Sequence, residues 1–313
     1  MPWNAPDART LAGFGVLVLA WGLNYLFVRL GLGYSPPLWL AFLRAGLGAL
    51  GVVIALAVVR GFGTLSRADR LDAVLIGVPT FGLFFGFWFV AAVSILPGEA
   101  AVFVYTFPLW VTLLSVPVLG QRVGPGHVAA VLGGFLGVTL VTSPWNVGGP
   151  SLPWIPVLEL LAGALSWAIG TVLAQRRFRR EQLREANAYQ LIGGTAVLLA
   201  GSLLLEPNTL PTPAPALLVA VLWLGLVGTA LGYAIWFHLL GRFRAPVLSA
   251  YVFLVPVVAL VASVLLLGER LGSVQIVGVI LVVLSLLGIG RYSMVDPPGP
   301  SVTSDPSGVD GRG

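Results

Sequence analysis

The chain contains no cysteine and no lysine. Without cysteine there is no disulfide framework, no thiolate nucleophile and no cysteine-ligated metal. Without lysine, all 17 basic residues are arginine, which points to coding composition rather than to a mechanism. Histidine is nearly absent as well. His127 and His238 have no carboxylate or cysteine at metal-ligand spacing, so no metal and no cofactor is expected. No Walker-type glycine-rich loop occurs, so nothing in the chain supports ATP hydrolysis. Charge of either sign is scarce, at 9% of residues, where a soluble domain carries about 25%. Such a surface is not mostly wet. The segment Met1–Thr10 lacks the basic start and the small-residue cleavage site of a signal peptide, so the first apolar run reads as a retained helix.

What fills the chain is apolar. Hydrophobic residues make up 58% of it and the mean hydropathy is +0.97. A helix needs about 20 apolar residues to cross a bilayer. The pattern predicts ten such spans: Leu11–Leu32, Pro37–Val59, Leu71–Leu96, Glu99–Leu119, His127–Thr142, Trp154–Gln175, Ala188–Leu205, Ala216–Leu240, Val247–Leu267 and Val274–Ile289. The expected fold class is therefore an all-α integral membrane protein of ten transmembrane helices. Long apolar runs, rather than short alternating segments, exclude a transmembrane β-barrel.

The arginines orient the spans. With the N-terminus in the cytoplasm, the cytoplasmic segments hold Arg9, Arg60, Arg67, Arg70, Arg122, Arg176, Arg177, Arg179, Arg180, Arg184, Arg242, Arg244, Arg291 and Arg312. Arg29, Arg44 and Arg270 remain outside or within a span. This bias follows the positive-inside rule and places both termini in the cytoplasm of a bacterial inner-membrane protein. It also accounts for a pI near 10.1 without any nucleic-acid partner. The bilayer and a small-molecule substrate are the expected partners, and the chain is read as a monomer or weak homodimer.

Residues recur 148 positions apart. Trp88-Phe89 matches Trp236-Phe237, Pro108 matches Pro256, Ser115-Val116 matches Ser263-Val264, and Leu119-Gly120-Gln121-Arg122 matches Leu267-Gly268-Glu269-Arg270. Upstream, after a two-residue gap, Trp21 aligns with Trp167. The chain thus divides into a cytoplasmic tail (1–10), a first five-helix repeat (11–143), an outer linker (144–153), a second repeat (154–292) and a Pro/Gly/Ser-rich tail read as disordered (293–313). A unit with an odd number of spans must be inverted in its second copy. Inverted repeats are the architecture of many carriers, with the site near the midplane between the halves.

The segment Pro256, Leu267-Gly268-Glu269-Arg270-Leu271, Gln275 and Gly278 resembles the end of each repeat in the EamA-type family of the drug/metabolite transporter superfamily. The first copy, Pro108 and Leu119-Gly120-Gln121-Arg122-Val123, departs by carrying Gln121 in the Glu position. Arg44 and Trp167 also resemble the family. The resemblance implies ten helices in two inverted halves around a central cavity. It further implies transport of amino acids or other metabolites, with export favoured.

Several residues inside spans are candidates for a substrate site. Arg44 lies about seven residues into the second span, roughly 10 Å along the helix. An intramembrane charge costs about 3 kcal/mol on insertion scales, so it must face a cavity or a partner. It either binds a substrate carboxylate or phosphate through its fork of donors, or is a structural arginine bonded to helix-end carbonyls. Interface belts explain Trp3, Trp39, Trp145 and Trp154 near span ends, but not Trp21, Trp88, Trp167 and Trp236 within them. Trp21 with Asn24 and Tyr25 forms one polar-tipped helix face, mirrored by Trp167 with Ser166 and Thr171. Tyr105 and Tyr251 complete the candidate set. Such residues line cavities or, alternatively, fill volume between helices. Glu99, after Pro97-Gly98, either caps its helix or is an ion or proton site near Arg44. Glu159 has a weaker claim to the same role.

Forty glycines, among them Gly46, Gly48 and Gly51 and then Gly133, Gly134 and Gly137, let helices approach closely. Gly77, Pro79, Gly82 and Gly86 give the third span a kink-prone face, and Pro108 and Pro256 are candidate hinges. The leading functional reading is a secondary transporter working by alternating access. The alternative is a passive channel or lipid scramblase of the same architecture. A membrane enzyme has no acid/base or metal cluster to stand on.

Overall fold

The computed structural model describes residues 8–95, 97–142, 153–267 and 272–292. Side chains are described within 10–95, 100–142, 153–261 and 272–289. The expected outer linker, the C-terminal tail, Glu269-Arg270 and the side chain of Glu99 lie outside them.

All secondary structure among the described residues is helical. Eight helices are long and apolar enough to cross a membrane: α1 (Thr10–Leu32), α2 (Pro37–Val58), α3 (Arg67–Ala91), α4 (Ala100–Leu119), α5 (Pro125–Thr142), α6 (Trp154–Arg177), α7 (Leu183–Leu205) and α8 (Pro215–Leu240). Two shorter apolar helices follow, α9 (Ala245–Val261) and α10 (Ser273–Ile289). Apolar side chains such as Leu132, Leu136, Ile280 and Leu287 stay exposed on the outside of the bundle, as lipid-facing surfaces require.

Packing partners are matched between the first five helices and the last five. Helix α2 packs on α8 as α7 packs on α3; α4 packs on α6 as α9 packs on α1; α2 pairs with α7, and α5 with α10. The α5–α10 pair is the most extensive, and glycine makes it possible. A Cβ on Gly137 would lie 2.8 Å from the Gly278 carbonyl oxygen, and one on Gly278 would lie 2.7 Å from that of Gly137. Two backbones in such contact gain packing and exclude lipid without a side chain between them. Ser285 donates to the Ala130 carbonyl across the same seam at 2.6 Å.

Several helices are not continuous, and the breaks have chemical causes. Helix α4 is interrupted at 105–106, and α9 at 252–253, each just before a proline. Pro108 and Pro256 therefore sit in the first turn of a new helical segment, where a missing N–H costs nothing. They do not bend a continuous helix from its interior, which sharpens the hinge expectation. Helix α1 is interrupted at Leu23, with Leu26 bonding back to Leu23 in a three-residue step. Helices α3 and α8 each contain a wide π-helical stretch, Val78–Leu83 and Trp223–Leu231. The kink-prone face of the third span takes this form. In both, the stretch closes shortly before the repeated Trp-Phe pair.

Polar contacts close the two ends of the bundle. At one end, the buried Glu185 carboxylate, on α7, accepts from the backbone N–H groups of Gly63, Thr64 and Leu65 at 3.0, 2.6 and 3.1 Å. The Thr64 hydroxyl donates to it as well, at 2.7 Å. Arg177 pairs with Asp69 and Asp72 nearby, and Ser66 with Asp69 forms a capping box at the start of α3. At the opposite end, Glu206 accepts from the N–H groups of Leu38 and Trp39 at 3.0 and 3.1 Å. A carboxylate there satisfies the first turn of α2 and its dipole. One end of α7 is thus tied to the loop after α2, and the residue following its other end to the start of α2.

Gly137→Leu forces a side chain into the α5–α10 seam, where overpacking costs about 1–3 kcal/mol. It is expected to lower the apparent unfolding temperature in detergent. Gly133→Leu, with nothing within 4 Å of an added Cβ, is expected to leave that temperature unchanged. Equal effects of the two would refute the seam.

Candidate functional site

The helix interruptions converge on the middle of the bundle. A small cavity there is lined by Trp21, Asn24, Tyr25, Arg44, Phe84, Trp88, Val104, Tyr105, Trp167, Tyr233 and Val252. Asn24, Tyr105 and Val252 sit at or beside the breaks in α1, α4 and α9. Irregular backbone inside a membrane bundle is tolerated where it is buried in protein or lines a cavity, and here it does both. The volume is about 30 Å³, space for about two waters.

Arg44 is the only charged residue among those lining the cavity, and it is 1% exposed. Its Nε donates to the Thr229 hydroxyl at 2.9 Å. Thr229 in turn donates to the Leu224 carbonyl, five residues back in the π-helical stretch, at 2.8 Å. The wide turn thus holds the threonine that meets the arginine. The guanidinium lies over Phe85, 4.1 Å from the ring centre, with Trp88 at 5.1 Å. Cation–π contact of this kind is worth about 2 kcal/mol when desolvated. Nη1 has no hydrogen-bond partner. Among the described residues Arg44 is bound to a side chain on α8.

A second polar pair stands in the corresponding place of the other half. The Thr80 hydroxyl, in the π-helical stretch of α3, donates to the Ile76 carbonyl at 2.7 Å and lies 3.1 Å from the Gln190 amide oxygen on α7. The displacement of 146 residues that relates Trp21 to Trp167 also relates Arg44 to Gln190. One half thus presents a cation and the other a neutral amide on equivalent helices.

Aromatic rings form the walls. Trp21 meets Trp167 edge-on at 5.5 Å, and Trp236 stands 5.6 Å from Trp21 and 5.5 Å from Trp167. Phe107 and Phe84 stack on the two sides of Trp167, at 3.7 and 4.9 Å. Tyr25 packs against Trp88 at 5.4 Å, and its hydroxyl bonds with that of Tyr105. The halves differ in their tryptophans: Trp21 Nε1 donates to the Gly228 carbonyl at 3.0 Å, whereas Trp167 Nε1 has no partner.

Of the residues singled out from the sequence, Trp21, Asn24, Tyr25, Arg44, Trp88, Tyr105 and Trp167 come together at the cavity. Three others do not. Trp236 packs behind Trp21 and Trp167, and Thr171 is buried within α6, neither of them on the lining. Tyr251 lies 4.7 Å from Phe14 in an apolar crevice on the far side of Trp21. Thr171 lies about one helical turn along the axis from Trp167, and the cavity takes only the tryptophan. Phe84, Val104, Tyr233 and Val252 join the lining. Of these, Tyr233 shows the same signal as the others, an aromatic inside a span. Thr229, Thr80 and Gln190 carry no such signal, because their roles depend on which helix lies opposite.

The description "EamA-like transporter family" belongs to a family model that matches residues 11–143 and 154–291. Curated relatives match nearly end to end. An uncharacterized transporter YvbV from Bacillus subtilis is 28% identical, covering 92% of this chain and 93% of its own. An uncharacterized inner membrane transporter YedA from Escherichia coli is 28% identical, covering 88% and 89%. A probable amino-acid metabolite efflux pump from Salmonella typhimurium is 30% identical, covering 87% and 91%. A solved crystal structure shares the fold with a TM-score of 0.76 at 22% identity, over 91% of this chain and 99% of that one.

The two polar pairs differ in charge, and their loss should differ accordingly. A hydrogen bond to a charged group contributes about 1.5–3 kcal/mol and a neutral one about 0.5–1.5. Thr229→Val is therefore expected to lower the thermal unfolding midpoint more than Thr80→Val, read by tryptophan fluorescence in detergent. The reverse order would contradict the Arg44–Thr229 assignment.

Proposed function

This chain belongs to the EamA-like transporter family, and on that premise we propose that it is a secondary transporter of small organic metabolites working by alternating access. It is a multi-pass membrane transporter; substrate, direction and mechanism are the proposed part. Amino acids and related compounds are the favoured cargo and export the favoured direction, in line with the name of the Salmonella relative. The bacterial inner membrane, named for the Escherichia coli relative, is the proposed location. Both termini are proposed to be cytoplasmic, from the arginine bias.

The observation that carries the reading is a narrow polar-and-aromatic centre between two halves that pack by equivalent contacts. The matched packing of helix pairs, the paired π-helical stretches and the paired interruptions in α4 and α9 support ten spans arranged as an inverted repeat. A site at the junction of such halves is reached from either side as they rock. The cavity of about 30 Å³ favours a carrier over an open channel, since a conducting path would hold a water-filled lumen. The aromatic rings must part for a metabolite to enter. Energy then comes from a gradient or an exchanged solute.

Trp167→Ala and Arg44→Ala are expected to abolish saturable flux in proteoliposomes while both proteins still insert and purify as monodisperse species. Wild-type flux in both would refute the cavity as the substrate site. No saturable flux of any small metabolite by the unmodified protein would refute the carrier itself.

A further inference from the structure

The unpartnered hydrogen-bonding groups lining the cavity are mostly donors; the one acceptor among them is the amide oxygen of Asn24. The lining holds one full positive charge, Arg44, and among the described residues no carboxylate lines it or pairs with that arginine. The unpartnered donors are Arg44 Nη1, Trp88 Nε1 and Trp167 Nε1, on side chains 1%, 5% and 3% exposed. Each is buried in a place where a donor without a partner costs free energy. Thr229 and Phe85 hold the guanidinium by its Nε edge and its face, which leaves the Nη side of the fork for something else. The rest of the wall is ring surface, suited to an apolar body.

We propose, building on the carrier reading, that the ligand is a small organic anion: a carboxylate on an apolar or aromatic body, recognised by the Arg44 fork with indole N–H support. On this assignment the ligand's negative charge compensates the buried guanidinium, and an ammonium group is not required. An arginine fork matches a carboxylate in two parallel hydrogen bonds. A cationic solute would bring like charge next to Arg44 in a low-dielectric site, which is unfavourable.

One skeleton in four charge states tests this: 4-methylpentanoate, L-leucine, 3-methylbutylamine and 4-methylpentanamide. These are spectroscopically silent, so binding to the full-length protein in nanodiscs is read from its own tryptophan fluorescence and from thermal stabilisation. Both carboxylates are expected to bind saturably and at least about tenfold more tightly than the amine and the amide, the smallest margin for a lost charge-assisted hydrogen bond. Arg44→Gln should erase the margin. Arg44→Lys, which keeps the charge and guards against loss of fold, should retain part of it. Amine or amide binding as tight as carboxylate binding, or no binding of any of the four, overturns the inference. Flux separates it from the carrier reading. Carboxylate binding without saturable flux supports the anion site and removes the carrier. Saturable flux of the amine or amide without carboxylate binding removes the anion site and leaves the carrier.

Discussion

The guanidinium of Arg44 is a full charge in the interior of a bundle with very few others, and much of the surrounding structure answers to it. A charge in such a place costs about 3 kcal/mol on insertion scales and far more without compensation. The compensation is local. A π-helical stretch in α8 presents Thr229 to Nε, and α3 lays Phe85 under the plane of the charge. Helix α2 must come close to α8 for this bond, and Gly48 is what permits it: any side chain there would meet the Thr229 methyl. π-Helical widening appears often at functional sites. Here the threonine that holds the arginine also bonds the Leu224 carbonyl.

The same economy governs the rest of the bundle. Lipid offers no hydrogen bonds, so each departure from regular helix has to be buried against protein. The departures in α1, α4 and α9 gather around one point, and the side chains beside them, Asn24, Tyr105 and Val252, line the cavity. At the periphery the opposite holds. The α5–α10 pair runs unbroken with glycine backbones in contact, and α7 is tied by Glu206 to the start of α2 and by Glu185 to the loop after it. Continuous pairs surround a centre whose helices are interrupted.

Asymmetry between the halves is as informative as their likeness. Equivalent helices carry Arg44 and Gln190, each facing a threonine in a π-helical stretch. Equivalent tryptophans differ in their bonding, Trp21 to Gly228 and Trp167 to nothing. A scaffold built twice has thus been charged once. That single charge gives the centre an electrostatic sign that neither the packing nor the aromatic walls would supply.

The sequence by itself determined that the chain is helical and apolar in long runs, because hydropathy over about 20 residues is a local property. It also exposed the recurrence of Trp-Phe, Pro and Gly-Gln/Glu-Arg, and it singled out Arg44 and the interior tryptophans, since a charge or an indole inside a span is conspicuous without knowing its neighbours. Tertiary structure alone decided which of these meet. Thr171 and Tyr251 have the same local credentials as Asn24 and Tyr105, yet the packed bundle places them off the cavity lining. Thr229, Thr80 and Gln190 look ordinary in the chain and matter through a partner 110 or 185 residues away. Glu185 and Glu206 read as loop-side charges until folding sets them on backbone N–H groups more than a hundred residues distant. A hydrogen bond's worth depends on distance and direction between groups, and those are properties of packed helices rather than of any one stretch of sequence.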